Sequence, residues 1–498
     1  MNTADYNNSI FKQLEEVMFE CKKLRNDLDE TKLHHRIEVI KLEKEVDYLK
    51  SENKALQEDN KILKENIKIL KEENDKLKGI VSKDSTNSSI PPSQDNKKKQ
   101  VNLREKSNKK QGGQKNHKGT TLKQEDIEKL IEENKATKKI IVHGNKNNPV
   151  CIKKSIVDIE TRVIVTEHLF YFKNKSEIKI PKEYKSNVQY GENLKTLCNI
   201  LVAEDTVSLE RTSELVRILT EGTITISQGS IVNWLIEKSK KCEEAVRKIE
   251  EKLKSGKIIF TDATTTSLNG KYGYVRNYSN SEYTLYKASE DKKIETIKEQ
   301  AVLNNYTGII MHDQETSLYN FGLHQNHAEC NVNLRRYLKY NLENNPQNTW
   351  AKELDKFLLE IKQEKEKIIG AGKNEFTKEY VSTINKKYDE IIKIGYEENK
   401  KKPSKYLHRE EKALLNRLVK YKKEQLLFAY NFEVPFDNNL SERDLRKIKT
   451  KKKVSGCFRS KRLFEAYCKI QSVISTCKKQ SLNIFEILKN IAPNKVSF

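Results

Sequence analysis

Leucine recurs at every seventh position near the start of the chain, and the matching a positions hold Val39, Val46, Asn53, Asn60, Ile67 and Asn74. Such a repeat gives a helix one apolar stripe, and asparagines at a positions favour a two-stranded parallel coiled coil. A single solvated helix is the alternative, but it would leave the stripe in water. We predict a dimerisation helix over residues 1–80, paired through Leu42, Leu49, Leu56, Leu63, Leu70 and Leu77.

The next two segments differ in character. Residues 81–125 contain Pro91-Pro92, Gly112-Gly113 and many basic side chains, which predicts a disordered basic linker. This linker is either an arm along DNA phosphates or a solubilising tether. Residues 126–188 contain short runs rich in β-branched residues and predict a small β-rich domain.

Helical periodicity returns over residues 189–255. A helix, a turn at Gly222 and a second helix capped by Ser227 give a pattern like a helix-turn-helix. Two helices that merely pack together would show the same pattern, so a helical DNA-binding region is one of two interpretations.

Apolar strands dominate residues 256–330. The run GKIIFTD ends on Asp262, a hairpin turn follows at Asn269-Gly270, and a third strand and a helix precede GIIMHD, which ends on Asp313. This order is that of the first part of a ribonuclease-H-like α/β core, with both aspartates at strand ends.

Residues 331–430 are helical and charged, and their length predicts an insertion rather than a loop. Residues 431–498 then complete the core, and Glu442 stands at the start of a basic run. Because Glu442 follows Asn439 by three residues, it has the spacing of a capping box. The fold class is therefore a multidomain α/β chain with a coiled coil, a small β-rich domain, a helical region and a catalytic core interrupted by a helical insertion.

Two strand-end aspartates and a helical glutamate can be brought within a few ångströms of each other. Their like charges would repel, and Mg²⁺ relieves such repulsion because it prefers oxygen ligands. Two ions roughly 3.5–4 Å apart can activate a water or a 3′-hydroxyl for in-line displacement at phosphorus. Taken singly, each aspartate is better explained as a turn residue, and the glutamate as a capping residue; only their arrangement on strand, strand and helix favours a site.

The formal charge of +23 and the pI near 9.3 favour a polyanionic partner. A lysine-rich composition without any partner is the alternative, but the basic residues cluster. The candidates for DNA contact follow the glutamate: Arg443, Arg446, Lys447, Lys449, Lys451, Lys452, Lys453 and Arg459. Asn438 and Asn439 are candidates for supporting Glu442 or capping its helix.

Eight scattered cysteines form no C-x-x-C pair, which favours a reducing compartment and no local zinc site. The first residues show no basic stretch before an apolar core, and no apolar run is long enough to span a membrane. We expect a cytoplasmic protein, associated with the nucleoid when bound to DNA.

Several motifs, in order, resemble transposases of the insertion-sequence-66 family over nearly the whole chain. Those of the second half are the most specific. The matching stretches are DSTNSSIPPSQD, GGQKNHKGTTL, YGENLKTL, FTDATTTSLNGKYGYV, GIIMHDQETSLYNF, VPFDNNLSERDLR, KVSGCFRS and STCKKQSLN.

The resemblance implies a DDE-type transposase whose metal-binding acids are Asp262, Asp313 and Glu442. It implies two Mg²⁺ ions, with Mn²⁺ as a substitute, and double-stranded DNA, both element ends and target, as the partner. Accessory proteins encoded by the element are further candidate partners. The expected reaction is strand cleavage followed by transfer of the 3′-hydroxyl ends into target DNA.

This chain departs from the family pattern at three places. Ala263 replaces the glutamate that usually follows the first aspartate. Only Cys151 remains of the paired cysteines of a small zinc-binding domain, so no structural zinc is expected. The C-x-x-H pattern after the second aspartate is Cys330-Asn-Val-Asn333 here. His327 lies nearby and is a candidate to substitute for the missing histidine, but we expect it to be a surface residue. These departures motivate an alternative, an inactive or repurposed transposase that only binds DNA; a coiled-coil scaffold is a second alternative.

Deleting residues 1–80 should convert the dimer into a monomer, because the leucine stripe is the predicted contact between the subunits. Sedimentation by analytical ultracentrifugation measures this directly. An unchanged oligomeric state after the deletion would show that the coiled coil does not pair the subunits.

Overall fold

The computed structural model describes residues 49–81, 83, 87, 123–143, 152–174, 178–181, 184, 186–321, 326–402 and 405–492. The chain divides into two units. The larger unit comprises residues 1–96, 180–216 and 225–498, and the smaller comprises residues 97–179 and 217–224. The predicted basic linker lies almost entirely outside the described residues, as does Cys151.

The heptad region contains helix α1 (Leu49–Val81). Leu63 and Leu70 are 56% and 63% exposed, and Leu77 is 38% exposed. Leu42 lies outside the described residues, and the side chains of Leu49 and Leu56 are likewise not described. Leu63, Leu70 and Leu77, the leucines whose side chains are described, are thus helical and exposed in a single chain, and the coiled-coil dimer stays a prediction.

In the smaller unit, helix α2 (Gln124–Glu132) precedes segments without regular secondary structure, and no strand forms among its described residues. Ile156 and Ile159 are 93% and 87% exposed. The β-rich domain predicted for residues 126–188 is not seen there. A run of β-branched residues favours a strand, but a sheet also requires paired neighbours.

Four helices follow in the region predicted to be helical. They are α3 (Glu192–Ala203), α4 (Leu209–Leu219), α5 (Gln228–Lys241) and α6 (Glu243–Lys254). Gly222 has a φ of +81° in the turn, and the Ser227 hydroxyl caps α5 by accepting from the Ser230 amide at 3.0 Å. The predicted turn and cap are therefore confirmed.

A five-stranded mixed sheet carries the two aspartates. Its strands are β1 (Ile258–Leu268), β2 (Lys271–Ser279), β3 (Thr284–Ser289), β4 (Ile309–His312) and β5 (Asn326–Glu329), in the order β3-β2-β1-β4-β5. The first three are antiparallel, and β4 and β5 run parallel to β1. Asn269 and Gly270 both have positive φ, as the predicted two-residue hairpin requires. Short helices α7 (Ile294–Glu299) and α8 (Thr316–Tyr319) connect the later strands.

The predicted insertion is helical throughout its regular parts. It contains α9 (Asn331–Asn344), α10 (Trp350–Gly370), α11 (Lys378–Lys400), α12 (Lys405–Lys420) and α13 (Lys422–Tyr430). Its buried apolar residues form one core with Met311 of β4 and Ala328 of β5. The insertion is therefore packed onto one edge of the sheet.

The last part of the chain forms α14 (Asn439–Ser455), α15 (Lys461–Lys479) and α16 (Ile484–Asn490). Helix α14 packs on β1 and β2, while α15 packs on β3 and on α5. Consequently, the glutamate helix lies on the strand that carries the first aspartate.

Gly308 sets the start of β4. A Cβ at this position would lie 2.6 Å from the Lys257 carbonyl oxygen and would also collide with the Tyr306 hydroxyl. Because a backbone atom cannot yield as a side chain can, Gly308→Ala should lower the free energy of unfolding by about 1–3 kcal/mol. Thermal unfolding by circular dichroism measures the loss.

Gly370 is a matched control, since a Cβ there meets no atom within 4 Å. Gly370→Ala should be neutral or slightly stabilising. Equal melting temperatures for the two variants would contradict the steric account of Gly308.

Candidate active site

The two aspartates lie side by side on neighbouring parallel strands. The last pairs between β1 and β4 match Ile259 with Ile310 and Phe260 with Met311. Two residues further on, in the same register, are Asp262 and Asp313, on strands that are spaced about 4.8 Å apart.

Only one of the two is at a strand end. Asp313 directly follows β4, as predicted, but β1 does not end at Asp262. It continues to Leu268, because β2 pairs with it beyond the end of β4 and places Asn277 opposite Asp262. The prediction of a strand end at Asp262 is wrong, although its position relative to β4 is that of an end.

Glu442 occupies the first turn of α14. The helix begins at Asn439, and its N-cap residue Asn438 makes no side-chain capping bond. Glu442 is thus one position too far along the helix for a capping box with Asn438, and Asn439 is already helical. The capping role suggested by the spacing is wrong, and the glutamate side chain is left for another role.

Two residues beside Glu442 attach the start of α14 to the aspartate strands. The Ser441 hydroxyl donates to Asn277 Oδ1 at 2.7 Å, and the same oxygen accepts the Asp262 amide at 3.0 Å. Asn438 Nδ2 donates to the Thr261 carbonyl at 3.1 Å and to Asp313 Oδ1 at 3.2 Å. These bonds fix where Glu442 projects. Asn438 is therefore well placed for a supporting role, whereas the Asn439 side chain is exposed.

The ionisation of Asp313 and of Glu442 is shifted by burial and by the neighbouring acids. Loss of hydration, followed by the charges of Asp262 and Glu442, raises the pKa of Asp313 well above its ordinary value, against the hydrogen bonds from Asn438 and Asn333. Loss of hydration also raises the pKa of Glu442; Asp262 adds to this rise, and Arg336 opposes it. All three side chains remain partly open to solvent, so a substrate can reach them.

The donor set suits a hard divalent cation. Asn438 Oδ1 is fully buried without a hydrogen-bond partner close to Asp313, and amide and carboxylate oxygens are the ligands that Mg²⁺ accepts. Within the described residues, however, no three His, Cys, Asp or Glu side chains converge into a metal-binding group. In this conformation the acids are close enough for their charges to affect one another, but their side chains do not converge on a single metal position.

The position of the missing C-x-x-H histidine is occupied by a buried amide. Asn333 hydrogen-bonds to Asp313, and its Oδ1 accepts from Arg336 Nη1 at 2.6 Å. The same Arg336 nitrogen lies 3.8 Å from Glu442 Oε1. Asn333 and Arg336 therefore connect the second aspartate with the glutamate.

His327 is not the surface residue that was expected. It is 8% exposed on β5, and its Nδ1 lies 3.1 Å from Nε2 of His312 on β4. Burial lowers the pKa of His327 to about 4, which keeps the ring neutral at physiological pH. His327 is buried because the helical insertion covers β5. The position of His327 after Asp313 in the sequence does not show that this strand would be covered.

Two of the lysines predicted to contact DNA are buried in the protein. Lys451 is 6% exposed and donates to the Val202 carbonyl at 3.0 Å, and Lys452 is 2% exposed. Burial lowers their pKa values to about 8 and about 7. Their side chains cannot reach a phosphate in this conformation, which corrects the expectation from the basic run.

The other candidates for DNA contact differ among themselves. Lys447 is in an ion pair with Glu204 at 2.5 Å. Lys449 is partly buried. Four side chains of the set are exposed, namely those of Arg443, Arg446, Lys453 and Arg459.

Sequence reasoning missed Asn277, Ser441, Asn333 and Arg336. The first could have been found, because a two-residue turn at Asn269-Gly270 fixes the register that puts Asn277 opposite Asp262. Ser441 adjoins the glutamate, but nothing in its sequence context shows that it faces β2. Asn333 and Arg336 become visible only when α9 is placed against α14.

Acidic residues gathered at a mixed sheet and an adjoining helix, in a strongly basic chain, are typical of enzymes that process nucleic acids. A family model described as Transposase IS66 family matches residues 188–466, a little over half of the chain, and the chain belongs to that family. The match covers the sheet, all three acids and the insertion. A comparison with curated proteins finds no match. Among the described helices, none is both long and apolar enough to cross a membrane.

Asn438→Asp should lower the free energy of unfolding by about 3 kcal/mol, because it removes both donor bonds and adds a carboxylate beside Asp313. Burial and the neighbouring charge would raise the pKa of the new carboxyl in the folded state. The loss of stability caused by the ionised carboxylate is therefore complete at high pH. It becomes smaller as the pH falls through the raised pKa of the folded state towards the pKa of the unfolded state. Thermal unfolding at pH 8 and pH 5 measures both effects.

Asn439→Asp is the control for this variant, since Asn439 is exposed in the first turn of α14, where a negative charge is favourable. It should be neutral or slightly stabilising. If both variants unfolded alike at pH 8, the Asn438 bonds would contribute nothing.

Proposed function

We propose that this transposase cleaves DNA strands and joins their 3′-hydroxyl ends to target DNA, with Asp262, Asp313 and Glu442 as its metal-binding catalytic acids. One observation carries the proposal: the three carboxylates lie on or directly after two adjacent strands and on a helix that is hydrogen-bonded to both. Loss of hydration and the charges of Asp262 and Glu442 raise the pKa of Asp313, and loss of hydration and the charge of Asp262 raise that of Glu442. Such repulsion is retained in an enzyme when a cation relieves it.

The sheet supports a ribonuclease-H-like assignment for this core. Three antiparallel strands, a helix and two further strands parallel to the first give the order β3-β2-β1-β4-β5. The chain order of three strands, a helix and a fourth strand is the one predicted from the sequence. Asp262 lies on β1, and Asp313 directly follows β4, which is next to β1 in the sheet. In such sheets, the point where parallel strands end is a favoured place for a ligand.

The residues of the chain have separable roles. The three acids would hold the divalent cations, with Mg²⁺ as the expected ion and Mn²⁺ as a substitute. Bound cations would lower the pKa of the attacking water or 3′-hydroxyl and stabilise the leaving oxygen. Asn438 and Ser441 fix Glu442 relative to the strands, while Arg336 balances its charge.

DNA binding would combine the exposed cations of α14 and the segment after it with a dimer formed by α1. Arg443, Arg446, Lys453 and Arg459 are exposed close to Glu442 in sequence. Leu63 and Leu70 offer an apolar stripe to a second copy. Two subunits would hold two DNA ends, which joining both ends of an element requires.

Strand nicking and strand transfer with Mg²⁺ test the proposal on a duplex with the inverted-repeat sequences that flank the coding region. Asp262→Asn, Asp313→Asn and Glu442→Gln should each reduce the rate at least about a hundredfold, because each removes charge that holds the cations. Binding of the same duplex should persist and weaken steeply with salt.

Glu282→Gln is the control, since Glu282 is exposed on the turn between β2 and β3; it should keep the wild-type rate. Equal activity in wild type and all three acid variants would contradict the site. Binding without any cleavage by wild type would instead support the inactive, DNA-binding alternative.

A further inference from the structure

Lys292 lies beside the first aspartate and was not singled out by any sequence pattern. It belongs to the segment between β3 and α7. Its ammonium donates to the Ala263 carbonyl at 3.4 Å and lies 5.4 Å from the centre of the Tyr274 ring. The Ala263 amide itself donates to Asp262 Oδ1 at 2.6 Å, so Lys292 contacts the residue that directly follows the acid and is hydrogen-bonded to it.

The ammonium of Lys292 has unused donor capacity. An ammonium group carries three N–H donors, and only the long bond to the Ala263 carbonyl engages it. In the described part of the chain, Lys292 is in no ion pair, although its side chain is partly buried. A partly desolvated cation without a partner is unfavourable by itself and binds an anion readily.

The neighbouring cation on β2 is different in this respect. Arg276, which pairs opposite Ala263, is 3% exposed and forms a two-pronged ion pair with Glu315 at 2.8 Å and 2.5 Å. Its charge is already balanced inside the protein. Lys292 is therefore the cation on this side of Asp262 that is available to a ligand.

Lys449 lies two turns after Glu442 on α14, so the two residues share one face of that helix. Burial lowers the pKa of Lys292, the charges of Asp262 and Glu315 raise it, and those of Arg276 and Lys449 lower it further. The charge of Lys449 also opposes the rise that burial causes in the pKa of Glu442. Lys449 also takes part in no ion pair within the described residues. Two lysines from separate elements thus repel each other around the acids, and an anion between them would remove the repulsion.

We propose that Lys292 and Lys449 together bind one backbone phosphate of the DNA strand that lies at the three acids, with Lys292 on the Asp262 side. This inference rests on the proposed function of that site. Ala263 has a part in it, because its carbonyl accepts a hydrogen bond from the Lys292 ammonium. A lysine suits this task because it acts as a point charge on a flexible stem.

Neutralising single phosphates in the DNA tests the contact without requiring cleavage. The probe is the flanking-repeat duplex with one methylphosphonate at a time, stepped across the element end, bound by the full-length protein in Ca²⁺. At one or two positions, wild type should lose about tenfold in affinity, as expected for a charge-assisted hydrogen bond. Lys292→Gln should bind the unmodified duplex about tenfold more weakly, with no further loss at those same positions.

Lys293→Gln is the matched control. The Lys293 side chain is 73% exposed and lies 3.9 Å from Asp291. The substitution therefore removes the same charge as Lys292→Gln, one residue along the chain. It should show the wild-type profile of methylphosphonate sensitivity, and Lys292→Arg should restore most of the affinity. Sensitivity that persists in Lys292→Gln at every position, or no sensitive position in wild type, would overturn the proposal.

The outcome is separable from that of the catalytic assignment. If the duplex is bound with the expected coupling but is never cut, the phosphate contact stands and the catalytic proposal fails. If cutting depends on the three acids but no coupling is found, only the role of Lys292 is lost. Unchanged thermal unfolding of Lys292→Gln would show that a loss of affinity does not come from misfolding.

Discussion

The start of helix α14 is held in place by hydrogen bonds from two residues that precede Glu442, and these bonds reach the strands that carry the aspartates. Ser441 reaches Asn277, and Asn438 reaches the Thr261 carbonyl and Asp313. Three negative charges repel one another here, and without these bonds the helix would be free to move Glu442 away. The arrangement thus keeps an unfavourable set of charges assembled, as a site that receives a cation requires.

The far side of α14 is anchored by a second set of charges. Glu204, at the end of α3, is 5% exposed and accepts from Lys447 and Lys478, while Lys451 caps the Val202 carbonyl. Burial raises the pKa of Glu204, but Lys447 and Lys478 outweigh this effect and keep it below its ordinary value. Part of the basic run therefore holds the helical region against the core, and only the remainder is left to face a polyanion.

Local rules predicted the sheet well and the side-chain roles less well. The Asn269-Gly270 turn dictates strand register, so the order of β1, β2 and β3 follows from the sequence. The capping role of Glu442 failed because spacing alone does not say which residue begins a helix, and α14 starts one residue earlier than a capping box between Asn439 and Glu442 would need. The burial of Lys451, Lys452 and His327 depends on distant elements, α3 and the insertion, which no local pattern contains.

The helical insertion separates Asp313 from Glu442 along the chain, yet its core is continuous with β4 and β5. A flexible loop of that length would leave the ends of the two acidic segments to find each other by diffusion, at a cost in chain entropy. A folded insertion instead behaves as a rigid spacer whose own stability sets the distance between its two ends. Evolution of this region is therefore constrained by the packing of its helices. Exposed residues of the helices can change freely, but a change in packing would move the glutamate relative to the aspartates.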